Sequence, residues 1–158
     1  MACLLLLIIP AGLAAPFALV GHGFRTLGRA GLRPADRRDW LRGVAPLLGA
    51  VAVAFYTWGM LLVALAVLDA EDGGAGSAPL RPCRTPGQSQ RALSVVDYTV
   101  DYVPLRFVCE TQGGGTYSAE TVPDYVNAAV VGFALAAVVC AGAAALGPET
   151  PPEKDPAV

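Results

Sequence analysis

The chain has 158 residues, of which 54% are hydrophobic and only 15% charged, with a formal net charge of -2 and a mean hydropathy of +0.52. This composition excludes an ordinary water-soluble domain, because a core of uncharged helices would leave no polar face for water. Residues 1–24, 43–68 and 125–148 contain no Asp, Glu, Lys or Arg, and each stretch can cross a hydrocarbon layer of roughly 30 Å. The sequence predicts a membrane protein, mainly α-helical, with three transmembrane helices.

Charge is distributed asymmetrically between these stretches. Residues 21–43 contain six arginines against two aspartates, whereas residues 69–124 contain eight acids against four arginines. Since short loops rich in Arg stay in the cytoplasm, the predicted amino terminus and residues 69–124 are extracytoplasmic, and residues 25–43 and 147–158 are cytoplasmic. The basic loop has two interpretations, a topology signal only, or a contact with anionic lipid headgroups or a partner; its cations are Arg25, Arg29, Arg33, Arg37, Arg38 and Arg42.

The amino-acid usage is also biased. Arginine outnumbers lysine ten to one, and Ala, Gly, Val and Leu dominate. In this respect the chain resembles small integral membrane proteins of high-GC actinobacteria. The resemblance is one of composition and carries no motif, so it assigns no functional residue.

The first predicted span covers residues 1–24 and has two interpretations. A cleaved signal peptide would need a basic start, but no basic residue precedes Arg25, and cleavage would leave the arginine-rich loop outside. A retained helix with its amino terminus outside fits better. Pro10, Gly12 and Pro16 predict a kink and free carbonyls, which neighbouring helices must satisfy. The next segment, beginning at Pro34, predicts a short separate helix.

The second predicted span covers residues 44–68 and has polar aromatic residues near its centre, where Tyr and Trp are uncommon. Tyr56, Thr57 and Trp58 therefore predict an intramembrane polar contact. One interpretation is a ligand or transport path; the other is helix packing with a local hydrogen bond, for example to a carbonyl freed by the prolines of the first span.

The extracytoplasmic segment, residues 69–124, begins with a glycine-rich linker and then alternates polar and apolar residues. This alternation predicts strands at 93–103 and 105–110, a glycine turn at 112–116 and a third strand at 117–122, forming an antiparallel sheet. Cys83 and Cys109 are predicted to form a disulfide, because both lie on the oxidising side. A metal pair lacks further ligands and a redox pair lacks Cys-x-x-Cys spacing.

The third predicted span covers residues 125–146, and a disordered cytoplasmic tail follows at 147–158. Small residues recur every fourth position in this span, which predicts close helix packing, either on the second span or on another copy. They are Ala128, Gly132, Ala136, Cys140 and Ala144.

No arrangement of residues indicates catalysis, and no cofactor or metal site is predicted. The single histidine, His22, has no carboxylate close to it in sequence, and Asp97 and Asp101 lie too far apart along a strand to share one ion. The first hypothesis is a non-enzymatic accessory subunit that contacts membrane lipids and a protein partner or a second copy, with no nucleic acid. The alternatives are a transport or export component, and a membrane enzyme acting on lipid or cell-wall precursors with Asp97, Asp101 or Glu110 as the acid.

Overall fold

The computed structural model describes residues 2–30, 37–72, 80–87 and 89–146, with the side chains of residues 10–29 in the first range. The linker at 73–79 and the tail at 147–158 lie outside these residues. The elements are three long helices, a short helix, a 3-10 turn and three strands. In chain order they are α1 (Ala2–Ala30), α2 (Arg37–Glu71), the 3-10 turn (Arg81–Cys83), α3 (Ser89–Ala92), β1 (Val95–Tyr102), β2 (Leu105–Thr111), β3 (Thr116–Ser118) and α4 (Asp124–Leu146).

Two of the three predicted spans are found as helices that are long and apolar enough to cross a membrane. Among the described residues these are α2, with 35 residues, and α4, with 23. The first predicted span corresponds to α1, a continuous helix of 29 residues that contains both Pro10 and Pro16.

Helix α2 is longer than predicted at both ends. It begins at Arg37, so the segment expected to form a separate helix after Pro34 instead supplies the first turns of α2. Asp39 lies in that first turn, where a carboxylate favours the positive end of the helix dipole, and it pairs with Arg42 at 3.4 Å. The hydrophobic run continues from Val44 to Leu68, and the helix passes through Pro46 and ends at Glu71.

Helices α1 and α2 pack antiparallel through glycines. A Cβ atom on Gly23 would lie 2.8 Å from the Leu47 side chain, and one on Gly43 would lie 2.5 Å from the Leu27 side chain. Each helix therefore places a leucine against a glycine of the other helix. Small residues of this kind let two backbones approach closely.

Helix α4 packs antiparallel on another side of α2. The Phe55 and Phe133 rings stack with centroids 6.0 Å apart, and the Arg38 Nε atom donates to the Ala144 carbonyl at 2.8 Å. The start of α2 is therefore level with the end of α4. Most of the remaining surface of α4 is exposed and apolar.

The three strands form one antiparallel sheet in the order β1-β2-β3. Tyr102 pairs with Leu105 across the β1–β2 hairpin, and Cys109 pairs with both Tyr98 and Tyr117. The β2–β3 turn contains Gly114 with a φ of +75°, a conformation that favours glycine. The predicted strands are confirmed for β1 and β2, whereas β3 ends at Ser118, earlier than the predicted Val122.

The inner face of the sheet packs on the second half of α2. The buried residues of this core come from α2, the 3-10 turn, and β2 with β3 and its continuation. They are Met60, Val63, Ala66, Ala70, Cys83, Leu105, Phe107, Cys109, Tyr117 and Ala119. The α2 members recur every three or four residues, which places them on one helix face. The sheet therefore covers α2 from about the level of Met60 to its end.

Candidate functional site

The predicted disulfide between Cys83 and Cys109 is present, and it lies at the centre of the core under the sheet. Both cysteines are 0% exposed and their Cα atoms are 6.0 Å apart. The Tyr117 hydroxyl donates to the Cys83 carbonyl at 2.7 Å. The bond therefore joins the loop after α2 to the middle strand. Burial raises the pKa of Tyr117 above its ordinary 10.0, although Arg91 lowers it in part, so the phenol stays a donor at neutral pH.

Tyr98 joins the sheet to the end of α2. Its ring stacks on Phe107 with centroids 5.0 Å apart, and its hydroxyl donates to a Glu71 carboxylate oxygen at 3.1 Å. Burial raises the pKa of Tyr98, and the Glu71 carboxylate raises it further by accepting this bond. The ring stack therefore holds β1 against β2, and the hydrogen bond holds β1 against the last turn of α2.

The opposite end of the sheet rests on a glycine of α2. A Cβ atom on Gly59 would lie 2.6 Å from Leu105 Cδ2 and 3.1 Å from Val126 Cγ1. Leu105 and Val126 are each 1% exposed. Gly59 is therefore the point at which α2, β2 and α4 meet, and the absence of a side chain there allows the close approach.

Asn127 of α4 stabilises the same contact by two hydrogen bonds to the backbone of β2. Its Oδ1 accepts from the Leu105 N–H at 2.9 Å, and its Nδ2 donates to the Leu105 carbonyl at 3.1 Å. Strand β3 leaves the edge of β2 after Ala119, whose N–H still donates to the Phe107 carbonyl. The Asn127 amide therefore takes the place of the next strand residue. Asn127 is the chain's only asparagine and lies in an otherwise uncharged apolar segment, a signal that sequence reasoning missed.

Replacing Asn127 with leucine is expected to lower the thermal stability of the sheet. The Leu105 N–H and C=O would both lose their partner, at a cost of about 1–3 kcal/mol. Asn127→Asp keeps the acceptor but loses the donor, so its effect should be intermediate. Thermal melts of the purified protein in detergent check this order, with the exposed Ala128→Leu as the control. Equal melting temperatures for Asn127→Leu and the control would contradict the role assigned to this amide.

The three polar residues predicted to make an intramembrane contact have different surroundings. The Thr57 hydroxyl lies 3.1 Å from the Gly12 carbonyl and 2.8 Å from the Val53 carbonyl, so its one proton is shared between them. Pro16 lacks an N–H and leaves the Gly12 carbonyl without its helical donor. The Tyr56 hydroxyl donates to the Tyr102 carbonyl at 3.2 Å, and Trp58 is exposed.

Two open clefts lie beside these contacts. A groove of about 280 Å³ between α1 and α2 is lined mainly by apolar atoms of residues such as Ala15, Val53 and Met60. The Tyr56 and Thr57 hydroxyls on its wall already donate to carbonyls. A second cleft, of about 740 Å³, lies between the β1–β2 hairpin and the start of α4, and includes Arg106, Glu120 and Asp124.

The predicted small-residue stripe of α4 is only partly covered within the chain, and its packing on another copy stays a prediction. Ala144 is buried and Ala136 and Cys140 are half-buried, but Ala128 and Gly132 are exposed. A Cβ atom on Gly132 would meet nothing within 4 Å. Close glycine contacts lie between α1 and α2 and at Gly59, at positions whose spacing is too irregular to form a motif.

The predicted basic loop is largely helical. Arg25 and Arg29 lie in the last turns of α1, and the arginines from position 37 onward lie in the first turns of α2; Arg33 lies outside the described residues. Arg38 caps the end of α4 through the Ala144 carbonyl, as a cation near a helix carboxyl terminus should. Arg25, Arg29, Arg37 and Arg42 are exposed, so they remain candidates for lipid contact.

The carboxylates considered as catalytic acids lie on the outer face of the sheet. Asp97 is directly across from Glu110, and Asp101 is across from Arg106. Within the described part of the chain, no group of three or more His, Cys, Asp or Glu residues could hold a metal ion. Comparisons with protein-family models, with curated proteins and with solved structures found no match.

Proposed function

We propose that this chain is a three-span protein of the plasma membrane with an outer domain, the sheet stapled by Cys83–Cys109, that docks a second, basic protein. The amino terminus and the sheet lie outside, and the arginine-rich end lies in the cytoplasm. In this role the chain is an accessory subunit and not an enzyme.

The observation that carries this proposal is the polarity of the two ends of the helix bundle. The arginines of α1 and α2 gather at the end where Arg38 contacts Ala144, whereas the acidic sheet covers the other end of α2. Exposed apolar side chains of α4, such as Leu135 and Val138, lie between the two ends. Helix α1 packs along α2 through Gly23 and so shares this layer. A bilayer accounts for the apolar surface, and the positive-inside rule accounts for the orientation.

The outer face of the sheet supports the choice of partner. Asp97, Thr99 and Asp101 are exposed, and Asp97 lies directly across from Glu110. Like charges opposite each other destabilise a sheet, so a basic side chain from outside would stabilise this pair. A second copy would present the same three acids against one arginine, Arg106, so the net like charge disfavours self-association through this face.

Photo-crosslinking from the outer face tests the proposal. A photoreactive amino acid at Thr99 should give one discrete protein adduct in intact host cells, and the same group at Val138, on the exposed face of α4, should give none. Changing Asp97 and Asp101 to asparagine should lower the Thr99 adduct by about tenfold. A Thr99 variant that gives no protein adduct, or one unaffected by removing both charges, would contradict the proposal.

A further inference from the structure

The thickness of the apolar layer can be measured along α4. Asp124 marks one end of this helix, and the Ala144 carbonyl, which accepts from Arg38, marks the other. The twenty residue steps from Asp124 to Ala144 span about 30 Å at 1.5 Å per residue. This length equals the hydrocarbon thickness of a typical bilayer, about 30 Å.

Because α4 packs antiparallel on α2, the two ends of the layer along α4 can also be located on α2. Val126 lies against Gly59 and Ala144 lies against Arg38, so the layer covers α2 from about residue 38 to residue 59, with the charged side chains of its first turns reaching the headgroup level. From Met60 onward one face of α2 is covered by the sheet, while Leu65 and Leu68 on its other side stay exposed. This differs from the predicted span of 44–68 by about two turns.

Exposed aromatic side chains lie at both ends of this apolar layer. Trp40 is exposed at the arginine-rich end, and Trp58 and Tyr125 are exposed at the other. Trp and Tyr favour the two membrane–water interfaces. Trp58, which would lie near the centre of the predicted span, is therefore at an interface of the shifted one.

The β1–β2 hairpin reaches the same level. On one side the Tyr102 carbonyl accepts from Tyr56, and on the other Leu105 pairs with Asn127, in the first turn of α4. Between them Val103 is 90% exposed, and Pro104 is exposed beside it. The hairpin end of the sheet thus presents two exposed apolar residues.

We infer that the outer leaflet of the bilayer covers this hairpin, so that Val103 and Pro104 lie in its headgroup layer and residues 60–71 of α2 stand outside the hydrocarbon. The inference rests on the proposed three-span topology and deepens it. The occupant is lipid because the exposed tip is continuous with the outer limit of the α4 layer and is level with Trp58 and Tyr125. The sheet then rests on the membrane with its acidic face turned outward.

Tryptophan quenching in lipid vesicles tests this inference. The chain has two tryptophans, so Trp40→Phe leaves Trp58 as the only reporter. The vesicles contain phosphatidylcholine brominated either near the headgroup or near the acyl-chain end. Trp58 would lie about 14 Å from the bilayer centre in the shifted span and about 3 Å from it in the predicted span. Stronger quenching by the shallow bromine supports the shifted span, and stronger quenching by the deep bromine overturns it.

The hairpin is tested in a chain that lacks both native tryptophans, Trp40→Phe with Trp58→Phe. Val103→Trp should be quenched by the shallow bromine roughly twofold more than Val96→Trp, an exposed valine at the far end of β1. Equal quenching at the two positions, with Trp58 still quenched in its own variant, overturns the inference and leaves the proposed topology standing. Absence of quenching in every variant overturns both. The Trp40→Phe variant, which reports on Trp58, keeps the native hairpin sequence. Its quenching result therefore does not depend on whether Val103→Trp folds.

Discussion

Replacing Cys83 with serine is expected to unfold the sheet while leaving the three long helices packed. The disulfide closes a loop of about 27 residues, for which the chain-entropy model gives about 3.5 kcal/mol. The sheet has only three strands and one small core, so this contribution is comparable to its whole stability. Trypsin cleavage after Arg106, in the middle strand, should therefore become fast in Cys83→Ser and Cys109→Ser.

The matched control for this prediction is Cys140→Ser. Cys140 is a free, half-buried cysteine of α4, remote from the sheet. Its loss should leave the cleavage rate at Arg106 unchanged. Because both disulfide sulfurs belong to residues that are 0% exposed, thiol reagents should reach them only after reduction in denaturant. A Cys83→Ser protein that resists trypsin as well as the wild type does would contradict the role of the bond.

Introducing a side chain at Gly59 is expected to separate the sheet from the helices. In Gly59→Ala the new methyl group would overlap Leu105 and crowd Val126, and both neighbours are too buried to move away. Overpacking of this kind costs about 1–3 kcal/mol, and Gly59→Val should cost more because its branched side chain is larger and stiffer. The melting temperature of the purified protein should fall in that order.

Gly49→Ala is the matched control, since it makes the same change in the same helix. A Cβ atom on Gly49 would lie 4.0 Å from Leu19, an ordinary contact. Alanine also favours a helix over glycine by about 1 kcal/mol, so this variant should be as stable as the wild type or more stable. Equal destabilisation by Gly59→Ala and Gly49→Ala would show that Gly59 has no special place in the packing.

The sheet and its disulfide could be predicted because their signals are local. Alternating polar and apolar residues from Val95 to Glu110 indicate two strands, and two cysteines in a segment predicted to be extracytoplasmic indicate one bond. The end of β3 could not be predicted. The chain leaves the edge after Ala119 because α4 must begin beside Gly59, and the Asn127 amide then completes the edge of β2.

The position of the bilayer along α2 stays a prediction, because hydropathy alone does not fix it. Hydropathy measures how apolar a residue is but does not say what covers it, and Met60 and Val63 are as apolar against a sheet as against lipid. Only the contacts of α2 with β2 and α4 show which of its apolar residues are covered by protein. The same limit applies to helix packing, because regular spacing drew attention to the stripe of α4, whereas the close approaches within the chain occur at the irregularly spaced Gly12, Gly23, Gly43 and Gly59.

Labelling of single cysteines in intact cells tests the central claim most directly, which is that the sheet and the arginine-rich end lie on opposite sides of a membrane. In a Cys3→Ser and Cys140→Ser background, Gly113→Cys places a thiol in the exposed β2–β3 turn and Gly28→Cys places one near the end of α1, where a Cβ atom meets nothing within 4 Å in either case. A membrane-impermeant maleimide should label Gly113→Cys in intact cells and Gly28→Cys only after the cells are permeabilised. Equal labelling of both positions in intact cells, or the reverse order, would contradict the account.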